Sequence, residues 1–125
     1  MIIVKRKGIT TPRAIRKLLR KYNMAVFLLS SKEFRRMCKY HNYHRLANPP
    51  SAMLDFSNYF IYIDAERLII EKERQSYVNY LYLHEIAHGL LNMGNKRNEE
   101  IDAHELALKI AGKEKLPVDY TDVIL

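Results

Sequence analysis

The chain has 125 residues, of which 48% are hydrophobic and 28% charged, and its net charge is +7. This length and composition predict a single globular domain, residues 1–125, that is large enough to bury a core. Cys38 is the only cysteine, which excludes an internal disulfide framework and makes a reducing cytoplasm the expected location. No apolar run reaches the roughly 18 residues that a membrane span requires, so we expect no membrane association.

The N-terminal half, residues 1–54, is predicted to alternate short strands with basic helices. A strand at 2–5 precedes a helix that Thr11 caps and Pro12 opens, ending near residue 22. A second strand at 25–29 and a second helix at 31–40 follow. The Asn-Pro-Pro-Ser stretch at 48–51 predicts an irregular connection, after which the chain to residue 58 forms a loop or a short strand.

Five cations share the polar side of the first helix, and we call them the basic surface: Arg13, Arg16, Lys17, Arg20 and Lys21. Such a surface can hold nucleic-acid phosphates or attract an acidic stretch of a protein. Charged residues on an amphipathic helix are more often simply solvated. Nucleic acid is therefore a less favoured partner than protein.

The C-terminal half begins with a predicted strand at 59–63 and a short turn or helix at 65–70. A helix at 76–93 comes next, and it is apolar around nearly its whole circumference, which is typical of a core helix. A further helix is expected at 98–112, between the cap-type Asn98 and Gly112, followed by a tail at 113–125. The fold class is α+β, with helices around a small mixed or antiparallel sheet and the 76–93 helix buried.

The buried helix carries the sequence His84-Glu85-Ile86-Ala87-His88. Residues four apart lie on one face of a helix, so both imidazoles can aim at one Zn²⁺ ion. Glu85 is rotated from His84 by about 100° and suits the role of general base toward water, as in H-E-x-x-H zinc peptidases. Unpaired ionisable groups are costly to bury, which favours a metal site over two histidines that merely bond to their surroundings.

Glu100 is the predicted third metal ligand. On a helical wheel it lies at the middle of an apolar stripe that includes Ala103 and Ala107, where a carboxylate needs a partner. The small alanines would let this helix approach the 76–93 helix closely. An open fourth position would then complete a catalytic zinc site with one ion.

His104 lies one helical turn after Glu100, on the same predicted inward face. Four roles are open for it: a metal ligand, a residue that orients Glu100, a donor to the oxyanion, or a hydrogen-bonded core histidine. As a fourth ligand it would close the site and make the metal structural.

The H-E-x-x-H sequence, followed by Glu100-Ile101-Asp102-Ala103-His104-Glu105-Leu106-Ala107, resembles the ImmA/IrrE family of small zinc metallopeptidases, whose second helix follows the pattern E-x-x-A-x-x-[F/L]-A. The similarity covers residues 55–112, including the strand before the motif helix, and does not extend to residues 1–54. Leu106 stands where Phe is commoner in the family, and Ala87 where Gly is usual. Neither position is a proposed ligand.

The resemblance implies a minimal zincin-like domain of the gluzincin type, with Glu as third ligand. It also implies a specific protein substrate, such as a transcriptional repressor, which an exposed sheet edge at 59–63 could bind by strand pairing. The alternative is a basic module that binds nucleic acid or protein and whose metal site is structural.

Overall fold

The computed structural model describes residues 3–4, 8–41, 51–93 and 100–120. Within these ranges the fold is α+β, as predicted. In chain order the elements are β1 (Ile3–Val4), α1 (Arg13–Lys21), β2 (Ala25–Leu29), α2 (Ser31–Tyr40), β3 (Ala52–Asp55), β4 (Phe60–Asp64), α3 (Ala65–Ile70), α4 (Gln75–Met93) and α5 (Glu100–Glu114).

The sheet is mixed, and its strand order is β1-β2-β4-β3. β2 runs parallel to both β1 and β4, whereas β3 pairs antiparallel with β4. The strand predicted as an exposed edge, β4, therefore lies inside the sheet between β2 and β3. The prediction of an edge at 59–63 is wrong because the short 52–55 segment forms a strand and covers that side; among the described strands, β3 takes the edge position.

The two faces of the sheet carry cores of different size. Alternate strand residues such as Val26, Leu54 and Ile61 face a large core that α1, α4 and α5 complete. On the other face, Met53 and Tyr62 pack with Phe34 and Cys38 of α2 in a smaller cluster. The helix with the H-E-x-x-H sequence therefore lies on the side of the larger core.

Two helix boundaries differ from the expected ones. Pro12 is the N-cap of α1, and Thr11 makes no cap bond because its hydroxyl lies 2.8 Å from the hydroxyl of Tyr82 on α4. α5 continues through Gly112 and ends where Lys115 adopts a left-handed backbone with φ 55°. The amide of Leu116 then donates to the carbonyl of Ala111, a standard helix ending. The predicted cap Asn98 lies outside the described residues.

The segment after α5 crosses the beginning of α4. The side chain of Asn79 donates to the carbonyl of Pro117 over 3.0 Å, and the amide of Asp119 donates to the carbonyl of Ser76. Arg74 forms an ion pair with Asp119. These contacts hold the described part of the predicted tail, residues 115–120, against α4 and bring Tyr120 to the side of that helix.

Candidate metal centre

The prediction that the 76–93 helix is buried is confirmed. Most of α4 from Val78 to Gly89 is buried, including Glu85 and His88, and the His84 side chain is 13% exposed. The helix lies close to the sheet at Gly89, where an added Cβ would come within 2.6 Å of the Met24 side chain. This packing sets the distance between the sheet and the part of α4 that carries the two histidines.

His84, His88 and Glu100 converge, as the sequence predicts. The Nε2 atom of His84 lies 3.1 Å from one carboxylate oxygen of Glu100, and Nε2 of His88 lies 3.1 Å from the other. One donor atom from each residue falls within 4.8 Å of the others, so among the described residues these three could hold a metal ion, and we call them the metal-binding group. Neighbouring ligands of a tetrahedral zinc ion with bonds of about 2.0 Å are about 3.3 Å apart, so the nitrogen–oxygen separations fit such an ion.

A buried ring nitrogen supports a cation at this place. Nε2 of His84 is inaccessible to solvent and, among the described residues, makes no hydrogen bond, although a Glu100 oxygen is within 3.1 Å. Buried polar atoms almost always have a partner, and leaving one without costs free energy. A metal ion bound between this nitrogen and the carboxylate would provide the partner.

Glu100 is more accessible than the helical wheel indicates. Its side chain is 66% exposed at the first described residue of α5. Ala103, Ala107 and Ala111 are buried as expected, but Ile101 is exposed. The imidazoles of His84 and His88 hold the pKa of the Glu100 carboxyl well below its usual range, so it is ionised at neutral pH and available to a cation.

Glu85 is buried beside the same group. Its burial raises the pKa of its carboxyl, and the nearby His88 and His84 oppose that change. A carboxyl held in a largely apolar setting next to two imidazoles is suited to accept and release a proton. Glu85 does not belong to the group of three converging donors, in agreement with its predicted separate role.

His104 is buried and does not join the three donors. Its Nδ1 atom shares a hydrogen bond of 2.7 Å with the hydroxyl of Tyr80, and the ring of Tyr120 packs on it with centroids 4.8 Å apart. Tyr80 in turn stacks on His84, with ring centroids 5.5 Å apart. Tyr80 was not predicted to be near the site, although its position four residues before His84 places it on the same face of α4.

The basic surface is solvent-exposed along α1. None of its five cations forms an ion pair within the described part of the chain, and Lys21 lies over the ring of Tyr22. Thr11, just before α1, shares a hydrogen bond with Tyr82 of α4. Tyr82 points about 160° away from Tyr80 around α4, so the basic surface does not border the metal-binding group.

Comparisons with known proteins give no family for this chain: no protein-family model, no curated protein and no solved structure matches it. None of the described helices is long and apolar enough to cross a membrane.

Proposed function

We propose that the protein is a zinc-dependent endopeptidase that acts on a specific protein in the cytoplasm. One observation carries the proposal: two imidazoles on one buried helix and a carboxylate from a second helix converge with separations of 3.1 Å, and a general-base candidate lies next to them. This donor set, with one position left open, is the arrangement of catalytic zinc sites. The resemblance in the H-E-x-x-H and E-x-x-A-x-x-L-A sequences supports the same class.

His84, His88 and Glu100 would bind the ion. Zinc in such a site acts as a Lewis acid and lowers the pKa of water to about 7. Glu85 accepts a proton from the water that attacks the scissile carbonyl and then gives it to the leaving amine.

The substrate would be a protein, and a transcriptional repressor is the class that the family resemblance favours. β3 is one of the two described edge strands, and Leu54 of β3 packs against Gly89 of α4, next to His88. An extended substrate segment could pair with that edge, where main-chain hydrogen bonds give affinity and side-chain pockets give specificity.

The test compares wild-type protein with Glu85→Gln, both loaded with zinc, by sequencing the new N-termini that each produces in a cell extract. Wild type should create a small set of new N-termini, and the variant should create them about 10²- to 10⁴-fold more slowly because it lacks the base. Zinc content should be equal in the two proteins, since Glu85 is outside the ligand group. Formation of these new N-termini at equal rates by the two proteins would contradict the proposal.

A second candidate is a nucleic-acid-binding module with a structural metal. The five exposed cations of the basic surface, which have no carboxylate partner among the described residues, favour it. A hydroxamate separates the candidates, because it can bind an open three-ligand site and not a closed one. Hydroxamate binding that Glu100→Ala abolishes supports the peptidase; binding of duplex DNA without hydroxamate binding supports the module.

A further inference from the structure

Three polar contacts follow one another along the interface between α4 and α5. His88 and His84 both meet Glu100, at the start of α5. Tyr80, one turn earlier on α4, meets His104, one turn later on α5. The helices are therefore antiparallel, and the Tyr80–His104 bond lies directly next to the metal-binding group along the same seam.

Glu100 has little packing of its own to hold it. Its side chain is 66% exposed, and it occupies the first position of its helix. The next residue of α5 with a polar contact to α4 is His104, which is buried and bonded at 2.7 Å. Near His104 on the same helix, Ala103 and Ala107 are fully or almost fully buried, and the ring of Tyr120 packs on His104. Alanines allow the helices to approach but do not define how far one slides along the other.

Tyr80 is held at both ends. Its ring lies nearly parallel to that of His84, at an interplanar angle of 17°, and its hydroxyl reaches His104. A flat contact of this kind limits rotation of the His84 ring.

We propose that Tyr80 and His104 are positioning residues for the metal centre: their hydrogen bond sets the register of α5 on α4, which places the Glu100 carboxylate, while the Tyr80 ring orients His84. This inference rests on the proposed use of His84, His88 and Glu100 as ligands. Tyr80 is 1% exposed, so it cannot contact a substrate, and its effect must pass through the ligands.

The first test measures zinc affinity by competition with a chromophoric chelator for wild type, Tyr80→Phe and Tyr82→Phe. Tyr82 is a matched control because it is equally buried on the same helix and its hydroxyl bonds to Thr11, just before α1. Tyr80→Phe should weaken zinc binding by about 10- to 100-fold, the usual effect of removing a group that orients ligands. Tyr82→Phe should bind zinc as wild type does, although it also loses a buried hydrogen bond.

The second test distinguishes the effect on zinc affinity of the hydrogen bond that His104 makes from the effect of its side-chain volume. The side-chain amide of Asn overlies Nδ1 of His, and that of Gln overlies Nε2. His104→Asn can therefore still bond to Tyr80, whether that bond needs a donor or an acceptor. We expect it to stay within a few-fold of wild-type affinity, while His104→Gln falls to the level of Tyr80→Phe.

Equal zinc affinity in wild type, Tyr80→Phe and His104→Gln would overturn the positioning role and leave the proposed metal site intact. Equal weakening by Tyr80→Phe and Tyr82→Phe would also overturn it, because the effect would then reflect general loss of stability. If wild type itself binds no zinc, both the proposed function and this inference fail. Zinc affinity that follows the expected order, in a protein with no peptidase activity, would support the positioning role and reject only the proposed reaction.

Discussion

α4 meets a different kind of neighbour on each flank. On the side of α5 it carries Tyr80, His84 and His88. The two histidines contact Glu100 of α5, and Tyr80 contacts His104. Toward α1 it presents Tyr82, which bonds to Thr11 above an apolar core, and the charges of α1 point to solvent. Both flanks belong to the same large core and both contain a buried tyrosine.

The two flanks differ in whether their ionisable groups are buried, which costs free energy. On the α1 flank every cation is exposed, so none requires a partner. On the α5 flank three imidazoles and two carboxylates lie together, some of them buried, and burial of such groups is unfavourable unless they are paired or bind a metal. On the α5 flank, the metal ion that we propose would provide the partner that these groups require.

Enlarging Ala103 should produce the largest effect on the α5 flank. Ala103→Leu forces a bulky side chain between α4 and α5, which should cost about 1–3 kcal/mol of unfolding free energy and move Glu100 away from the histidines. We expect zinc affinity to fall by at least about tenfold. Ala111→Leu is the control, because Ala111 is also buried but lies two turns farther from Glu100. Comparable zinc affinities in the two variants would show that the spacing of the helices does not position the carboxylate.

A smaller effect is expected on the α1 flank, at alkaline pH. Burial raises the pKa of Tyr82 to about 12, and the hydrogen bond with Thr11 lowers it only in part. Because the unfolded chain has the ordinary pKa of about 10, the stability from neutral Tyr82 is complete below pH 10 and is lost between pH 10 and 12. In that range Tyr82→Phe should make the slope of the unfolding free energy against pH shallower by about 1.4 kcal/mol per pH unit, the contribution of one proton.

Urea unfolding of wild type and Tyr82→Phe at a series of pH values from 9 to about 12 measures this difference. Tyr80 also has a pKa near 12, so the variant keeps part of the alkaline decline. Equal loss of unfolding free energy with pH in the two proteins would mean that folding does not raise the pKa of Tyr82.

The features predictable from sequence were those carried by helical periodicity. The spacing of His84 and His88, and the alanines that follow Glu100, correctly placed three side chains at one point. Both patterns are local, because each depends on residues one turn apart in the same helix. A small sheet, mixed or antiparallel, and the buried motif helix were likewise predicted from apolar runs.

What the sequence did not predict depends on contacts between distant elements. The pairing that makes β3 the edge joins residues 52–55 to 60–63, and nothing in either strand distinguishes an edge from a centre. Thr11 was predicted as a helix cap, but its hydroxyl bonds to Tyr82, far along the chain. Glu100 is 66% exposed, although the wheel placed it in an apolar stripe. In each case a tertiary contact or boundary overrides a local preference.

The most direct test of the metal centre is the zinc content of untagged protein for wild type, Glu100→Ala and Glu105→Ala. Glu105 is exposed on the same helix and lies outside the ligand group, so its removal changes the charge of α5 equally without removing a donor. We predict about one zinc ion per chain in wild type and in Glu105→Ala, and loss of zinc from Glu100→Ala. Full zinc content in Glu100→Ala, or none in wild type after zinc is supplied, would contradict the assignment of His84, His88 and Glu100 as the metal site.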